Sequence, residues 1–190
     1  MVRLTCMPPR LLCVLFVLAC SSASTPAPTP QEVQPTTRAP SAVVDLKALT
    51  VSFDNMPIAR LHADGRTESV GDAKPGKDAT FSPGPTLHPD GTIELTKPGF
   101  TARVDRDGAI YVVSPPGSGR SEQLYGRISG DQLLTAGARD TGVRLEGSKL
   151  VMFYEGRQTN VIGVIDPPHL GRTALLMTAA FFIDLAITSR

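Results

Sequence analysis

From Val43 onward, apolar and polar residues alternate in short runs that are separated by glycine-containing turns. Alternation with a period of two places successive side chains on opposite faces of a strand. Leu49–Phe53 follows this pattern, and residues 92–95 and Ala109–Val113 are predicted to be further strands. The pattern therefore predicts a β-rich body made of many short strands.

The predicted strands are joined by a recurring turn, in which an apolar residue lies three places before Asp-Gly. Asp-Gly closes a hairpin well because glycine adopts positive φ and the aspartate side chain bonds to nearby backbone. The three copies are Leu61 with Asp64-Gly65, Leu87 with Asp90-Gly91, and Val104 with Asp107-Gly108. Further turns are predicted at Ser129-Gly130-Asp131 and Glu146-Gly147-Ser148.

The turn glycines from Gly65 to Gly147 lie at uneven intervals of 26, 17, 22 and 17 residues. A solenoid or propeller needs a fixed period, so neither is supported. We expect a mainly β fold, in which an antiparallel hairpin meander forms a small rolled or open sheet. The turn unit resembles uncharacterised bacterial envelope proteins with serial Leu-x-x-Asp-Gly hairpins, and this resemblance implies a style of fold but no activity.

The C-terminal segment is predicted to be one apolar helix. Pro167-Pro168 ends a strand over residues 160–165, and residues 173–188 contain neither Gly nor Pro. Thr173 is a candidate N-cap. Sixteen helical residues extend about 24 Å, which is short of the hydrocarbon core of about 30 Å, and Asp184 would be costly in lipid. We expect the helix to pack over the apolar face of the sheet. A partner surface, membrane contact and an apolar strand remain alternatives.

Composition narrows the class of protein. The 190 residues are 41% hydrophobic and 19% charged, so a packed core is expected, and 17 Gly and 17 Pro favour turns. The formal charge is +1, and it becomes −1 if Arg3 and Arg10 are removed with an export signal. Nucleic-acid binding is therefore not expected. The absence of Trp and the 5% aromatic content disfavour a stacking platform for bases or sugars.

The N-terminus has the layout of an export signal. Arg3 and Arg10 precede an uninterrupted apolar run over residues 11–19. This run is shorter than the roughly 20 residues that a transmembrane helix needs. It ends in Val17-Leu18-Ala19-Cys20-Ser21, which resembles the lipobox of bacterial lipoproteins, although Leu18 is larger than the residue usual at its place.

The lipobox resemblance implies that Cys20 receives a diacylglycerol on its thiol and becomes the first residue of the mature chain. Several acyl chains make such an anchor durable. The mature chain then keeps no other cysteine, so neither a disulfide nor a thiolate metal site is expected. Ser21 is not an acidic retention signal, which favours the outer membrane by analogy. An ordinary signal peptide cut near Ala23 or Ser24 remains the alternative.

Residues 21–42 are rich in Ser, Thr, Ala and Pro. Five prolines favour an extended backbone, so this segment is interpreted as a tether with a reach of up to roughly 60 Å. The predicted organisation is a signal peptide over residues 1–19, the lipidated Cys20 with its tether over 20–42, a β-hairpin domain over 43–168 and the helix over 169–190.

No catalytic constellation is predicted. His62 and His88 occupy equivalent places beside turns but have no other metal ligand nearby in sequence, and His169, which follows two prolines, lacks the signature of a catalytic base. Asp105-Arg106-Asp107-Gly108 lacks the spacing of a calcium loop. Residues 116–121 are Gly-rich but lack the Lys-Ser/Thr pair of a phosphate loop. We therefore expect no cofactor and no bound metal.

Together these features predict a non-enzymatic, lipid-anchored protein of the bacterial cell envelope. Its membrane attachment is the N-terminal lipid, and its body is expected to be a structural or interaction module for an envelope partner. The alternative is a module that binds or carries an apolar ligand such as a lipid, which needs a cavity of several hundred cubic ångströms. An enzyme would need convergent polar groups in a cleft.

Overall fold

The computed structural model describes residues 43–70, 80–118, 122–138 and 140–189. The described residues form twelve antiparallel strands, a short 3-10 turn at Pro168–Leu170 and one α-helix. The elements are β1 (Leu49–Phe53), β2 (Met56–Leu61), β3 (Arg66–Val70), β4 (Phe81–Leu87), β5 (Thr92–Glu94), β6 (Thr101–Val104), β7 (Ala109–Val113), β8 (Glu122–Ser129), β9 (Gln132–Thr135), β10 (Gly142–Glu146), β11 (Lys149–Tyr154), β12 (Arg157–Asp166) and α1 (Gly171–Thr188).

The sheet closes on itself. Each strand pairs with the next one in sequence, and β1 pairs with β12, with Val51 opposite Ile165. The expectation of a hairpin meander is confirmed, but the expectation of a rolled or open sheet is wrong. Pairing of the first and last strands satisfies backbone groups that an open sheet would leave along two edges.

The predicted Asp-Gly turns all close hairpins, and they lie together at one end of the barrel. Leu87 donates its backbone N–H to the carbonyl of Gly65, at 2.9 Å. Val104 donates in the same way to Gly91, and Ile128 to Gly108. We call this ring of turn-to-strand hydrogen bonds the turn belt. The hydrogen bonds of the turn belt repeat regularly around the barrel, although the turn glycines are unevenly spaced in the sequence. The spacing is uneven because the connections between strands at the opposite end of the barrel differ in length.

The C-terminal segment is helical as predicted, but its start and its surroundings differ from expectation. The helix begins at Gly171, and Leu170 is its N-cap without a side-chain hydrogen bond, so Thr173 is not the cap. Seven consecutive residues, Ala174 to Ala180, are buried, and at 3.6 residues per turn they cover every face of the helix.

The strands that contact α1 include β4 and, across the ring, β8, β9 and β10. The helix therefore runs inside the barrel, and the expectation that it lies over one face of a sheet is wrong. By length and composition alone, the helix over Pro168–Thr188 could cross a membrane. The core helix of a soluble protein meets the same criteria, and half of this one is buried among the strands.

One hydrophobic core joins the barrel wall to the helix. Leu49 and Val51 of β1 point inward, as their alternation predicts, and they belong to the same cluster as Leu175 and Ile183 of α1. A fully buried Leu or Ile contributes about 1.5–3 kcal/mol. Because the helix supplies much of this buried surface, we expect the strands to depend on it for a filled interior.

Candidate functional site

The candidate site is a stretch of β12 that has a neighbouring strand on one side only. β12 pairs with β11 from Arg157 to Val164, whereas β1 pairs with it only at Val164, Ile165 and Asp166. Residues 157–162 therefore face no strand of the described chain on the side of β1. We call this stretch the β12 edge.

The β12 edge exists because β1 turns away early. Asp54 and Asn55 have φ of 48° and 62°, and they form a tight two-residue connection between β1 and β2. Asp and Asn tolerate this left-handed conformation better than most residues, since their side chains bond to nearby backbone. β1 consequently ends at Phe53, while the hairpin of β11 and β12 continues further toward the same end of the barrel.

A glycine determines where the two strands separate. Gly163 is buried, and a Cβ atom there would lie 2.6 Å from Cγ1 of Val51 and 2.9 Å from the carbonyl oxygen of Ser52. Only a residue without a side chain allows β1 to approach β12 this closely. Barrel closure is thus achieved at Gly163, and the β12 edge begins immediately beyond it.

An open notch of about 540 Å³ lies between the β12 edge and the end of β1. Three of its apolar side chains are unusually exposed for their type: Phe53 is 44% exposed, Val161 37% and Val164 42%. Asp54 lies at the notch as well. The notch thus combines unpaired strand backbone with apolar side chains, which are the two features that an added β-strand uses.

Elsewhere in the described barrel, β2, β4 and β8 also extend beyond one of their neighbours. In β2 and β4 these stretches carry Pro57, Pro83 and Pro85, and proline opposes strand addition because it lacks the N–H donor. The stretch of β8 carries one charged residue, Glu122. The β12 edge contains no proline and carries one charged residue, Arg157, but the ladder with β11 shifts register at Thr159 and Ile162.

His62 and His88 occupy matching places in two hairpins, as their sequence positions indicated. Nε2 of His62 lies 3.3 Å from Oε2 of Glu68, and Nε2 of His88 lies 3.3 Å from Oε1 of Glu94. Each histidine therefore faces a carboxylate of the return strand. Within the described ranges, no group of three or more His, Cys, Asp or Glu side chains is arranged to hold a metal ion.

The Asp105-Arg106-Asp107-Gly108 segment is a hairpin turn, as predicted. Gly108 donates its N–H to the carbonyl of Asp105, and the side chain of Asp107 accepts from the N–H of Ala109 at 3.3 Å. The carboxylate of Asp105 pairs with Arg103. Both carboxylates thus have partners within the chain. In the Gly-rich segment, residues 116–118 form a turn, and 119–121 lie outside the described residues.

A buried ion cluster on β6 and β8 was not found from the sequence. Arg103 is 6% exposed, pairs with Asp105 and donates from Nε to Glu122 at 2.5 Å. Its guanidinium also lies 4.6 Å from the ring centre of Tyr111. The hydrogen bond to Glu122, with the nearby Asp105, raises the pKa of Arg103 above its ordinary value. The register that sets Arg103 opposite Tyr111 cannot be deduced from either strand alone.

A second concavity lies where α1 enters the barrel. Its volume is about 350 Å³, and Val104, Ile128 and Leu176 form an apolar floor. His169 and Arg172 line it as well. His169 is therefore at the mouth of the barrel, beside the first turn of the helix.

Cys20, the predicted lipidation site, lies outside the described residues. No family model, no curated protein and no solved structure matches the chain.

Proposed function

We propose that this chain is a lipid-anchored protein of the bacterial cell envelope, and that its barrel is a non-enzymatic interaction module. The β12 edge is the contact surface, and it accepts an extended segment of a protein partner as an additional strand. The observation that supports this most directly is the one-sided pairing of residues 157–162 beside the exposed apolar side chains of the notch.

Strand addition suits the chemistry of the notch. The free N–H and C=O groups of the β12 edge provide the hydrogen bonds, which are independent of the partner's side chains. Phe53, Val161 and Val164 provide apolar contacts for alternate side chains of the added strand. The backbone thus contributes affinity, while the exposed apolar residues select among partners.

The N-terminal segment supports placement in the envelope. The apolar run over residues 11–19 ends at the lipobox-like Val17-Leu18-Ala19-Cys20, and the Pro-rich residues 21–42 follow. A tether of this length and composition would let the barrel search up to roughly 60 Å from the membrane. We propose the outer membrane as the site of attachment, because the residue after Cys20 is Ser21 and not an acidic residue.

The anchor is tested by intact mass and by fractionation. The mature polypeptide should begin at Cys20 and carry the mass of acyl chains, and Cys20→Ser should move the protein from the membrane to the soluble fraction. Cys13→Ser, which changes a cysteine of the predicted signal peptide, is the matched control and should leave membrane attachment unchanged. A Cys20→Ser protein that stays on the membrane after a high-salt wash contradicts the anchor.

The edge is tested by in-cell crosslinking from a photoreactive amino acid at Val161, followed by identification of the captured protein. The control position is Ser129, an exposed residue of β8 that lies four strands away around the ring. We expect one discrete adduct from position 161, and none from position 129. A second change, Asn160→Lys, should abolish that adduct, because charged residues on an edge oppose strand addition. Equal capture from both positions would count against the edge.

The cavity at the barrel mouth favours a second candidate function, the binding of an apolar ligand. The lumen is occupied by α1, but the 350 Å³ concavity has an apolar floor between the strands and the helix. Organic extracts of natively purified protein should then contain a stoichiometric apolar molecule by mass spectrometry. Ile128→Trp, which would fill this concavity, should abolish binding of the apolar molecule. Extracts without any such molecule contradict this candidate.

A further inference from the structure

We infer that the concavity where α1 enters the barrel binds a single-chain amphiphile with an anionic head, either a carboxylate or a phosphate. The inference rests on the second candidate function, because it names the class of ligand that this concavity takes. We call the concavity the mouth cavity. Its volume of about 350 Å³ lies within the range of about 300–1,000 Å³ that is typical of small-molecule pockets. Its lining has an apolar part and a charged part, and these lie at different depths.

The apolar part is the deeper one. Val104, Ile128 and Leu176 line the cavity and are only 3% or 4% exposed. The backbone N–H groups of Val104 and Ile128 are bonded within the turn belt, so they are not free to bind a ligand. The floor thus presents aliphatic side chains only. A hydrocarbon tail suits this surface, whereas a polar group placed there would lose its water without gaining a hydrogen bond.

The charged part lies at the rim. Arg172 lines the same cavity and is exposed. It precedes Leu176 by four residues, so both side chains lie on one face of α1, with Arg172 about 6 Å closer to the start of the helix. Polarity therefore changes along this face from a cation at the opening to an apolar floor one turn deeper. An amphiphile that enters tail first places its head beside Arg172.

The charges of the rim favour an anionic head over a neutral one. Nζ of Lys47 lies 2.8 Å from the carboxylate of Asp45, so these two charges offset each other. Arg172 forms no ion pair with another described residue, and the first turn of α1 contains no acidic side chain. With His169 neutral, the lining keeps one net positive charge. A guanidinium can bind two oxygens of a carboxylate or a phosphate through parallel N–H groups.

The position of the predicted tether supplies a source for such a ligand. Val43 and Val44, which directly follow residues 20–42, line the mouth cavity, and Val44 donates its N–H to the carbonyl of Pro89 at 2.8 Å. The proposed anchor is thus connected to the barrel at this opening. Amphiphiles of the same membrane, whether free fatty acids or single-chain phospholipids, are therefore within reach of the cavity.

The experiment uses the whole mature chain from residue 20 with Cys20→Ser, so that its own acyl chains cannot occupy the cavity. After delipidation, the protein is titrated by calorimetry with decanoate, decyl phosphate and decanol, which share one chain length and differ in the head. We expect the anions to bind about tenfold more tightly than decanol, because charge-assisted hydrogen bonds to Arg172 form only with them. Tighter binding of decanoate would indicate fatty acids as the source, and tighter binding of decyl phosphate would indicate phospholipids.

Arg172→Gln should weaken binding of both anions about tenfold and leave binding of decanol unchanged. Arg127→Gln is the matched control, because it changes the net charge equally but lies on the outside of β8, where it pairs with Asp107. It should leave all three affinities unchanged. Both arginines are exposed, so circular dichroism should show an intact fold for each variant.

Three results would overturn the inference. If the three compounds bind equally and Arg172→Gln changes none of the affinities, the second candidate function stands and the anionic head is wrong. If Arg127→Gln weakens the anions as much as Arg172→Gln does, overall charge and not the mouth cavity selects them. If none of the compounds binds, both the anionic head and the second candidate function are wrong, whereas the β12 edge is tested separately by crosslinking.

Discussion

Asp184 of α1 accepts two hydrogen bonds from Thr96, one from the backbone N–H at 2.7 Å and one from the hydroxyl at 2.7 Å. Thr96 follows β5, at the end of the barrel opposite the turn belt. Nζ of Lys97 donates to the carbonyl of Ile187 near the end of the helix, at 3.1 Å. The acidic residue in this otherwise apolar helix thus fastens its C-terminal end to the rim of the barrel.

Loss of this fastening should destabilise the fold. Asp184→Ala removes a charged acceptor from two donors, and hydrogen bonds to charged groups contribute about 1.5–3 kcal/mol each. Because the site is partly open to water, we expect the free energy of unfolding to fall by about 1–3 kcal/mol in urea titrations. Asp45→Ala, which breaks an exposed pair with Lys47, is the control and should change it by less than about 1 kcal/mol. Equal effects of the two substitutions would argue against the fastening.

The turn belt predicts that turn glycines differ in their tolerance of alanine. Gly65 and Gly130 both have positive φ, but a Cβ at Gly65 would lie 1.9 Å from the carbonyl oxygen of Leu87, whereas one at Gly130 would meet nothing within 4 Å. Gly130→Ala should therefore cost only the backbone strain, about 1–2 kcal/mol. Gly65→Ala must in addition push β4 away, because the new Cβ would clash with the carbonyl oxygen of Leu87. Its melting temperature should fall clearly further; similar melting temperatures would refute the close approach.

Loss of the buried ion cluster should lower the free energy of unfolding far more than loss of an exposed ion pair. Arg103→Met would leave the nearly buried carboxylate of Asp105 without its partner, a change that typically costs about 3–5 kcal/mol. Arg127→Met breaks the pair with Asp107, in which both side chains are more than half exposed, and should cost less than about 1 kcal/mol. Denaturant unfolding of the two variants measures the difference. A small effect at Arg103 would mean that water reaches Asp105.

Acid should weaken the Asp-Gly turns. Backbone N–H groups of Arg66 and Thr92 donate to Asp64 and Asp90, and these hydrogen bonds lower the pKa of both carboxyl groups below the ordinary value of an aspartate. A lowered folded-state pKa contributes stability that is present above the unfolded value and is lost as the pH falls through the folded value. The free energy of unfolding should therefore decrease below about pH 4.

The double variant Asp64→Asn with Asp90→Asn tests this acid dependence. The amide oxygen of Asn still accepts the backbone hydrogen bond, so the turns should remain intact, but these two groups no longer titrate. Unfolding measured between neutral pH and pH 2.5 should show a shallower acid slope than in the unsubstituted protein. An unchanged slope would assign the acid sensitivity to other carboxylates.

Local patterns predicted the elements well. β1 and β7 have the bounds that alternation indicated, and each Asp-Gly unit closes a hairpin. These features depend on residues adjacent in the chain, namely the period of two and the positive φ of glycine. β12 begins at Arg157, before the predicted start at residue 160. The prediction missed these first residues because they are polar and lack the alternation of a half-buried strand. Those missed residues form the candidate site.

By itself, the sequence determined that the body is built of short antiparallel hairpins, that one C-terminal segment is helical and too apolar to be left in water, and where the turns lie. Only the tertiary structure decided that β1 meets β12 and that the helix fills the lumen. It also decided that β1 ends before β12 does, which exposes the β12 edge. Alternation specifies which face of a strand is buried, but not which distant strand lies beside it. That choice follows from closing the ring around the helix and from the absence of a side chain at Gly163.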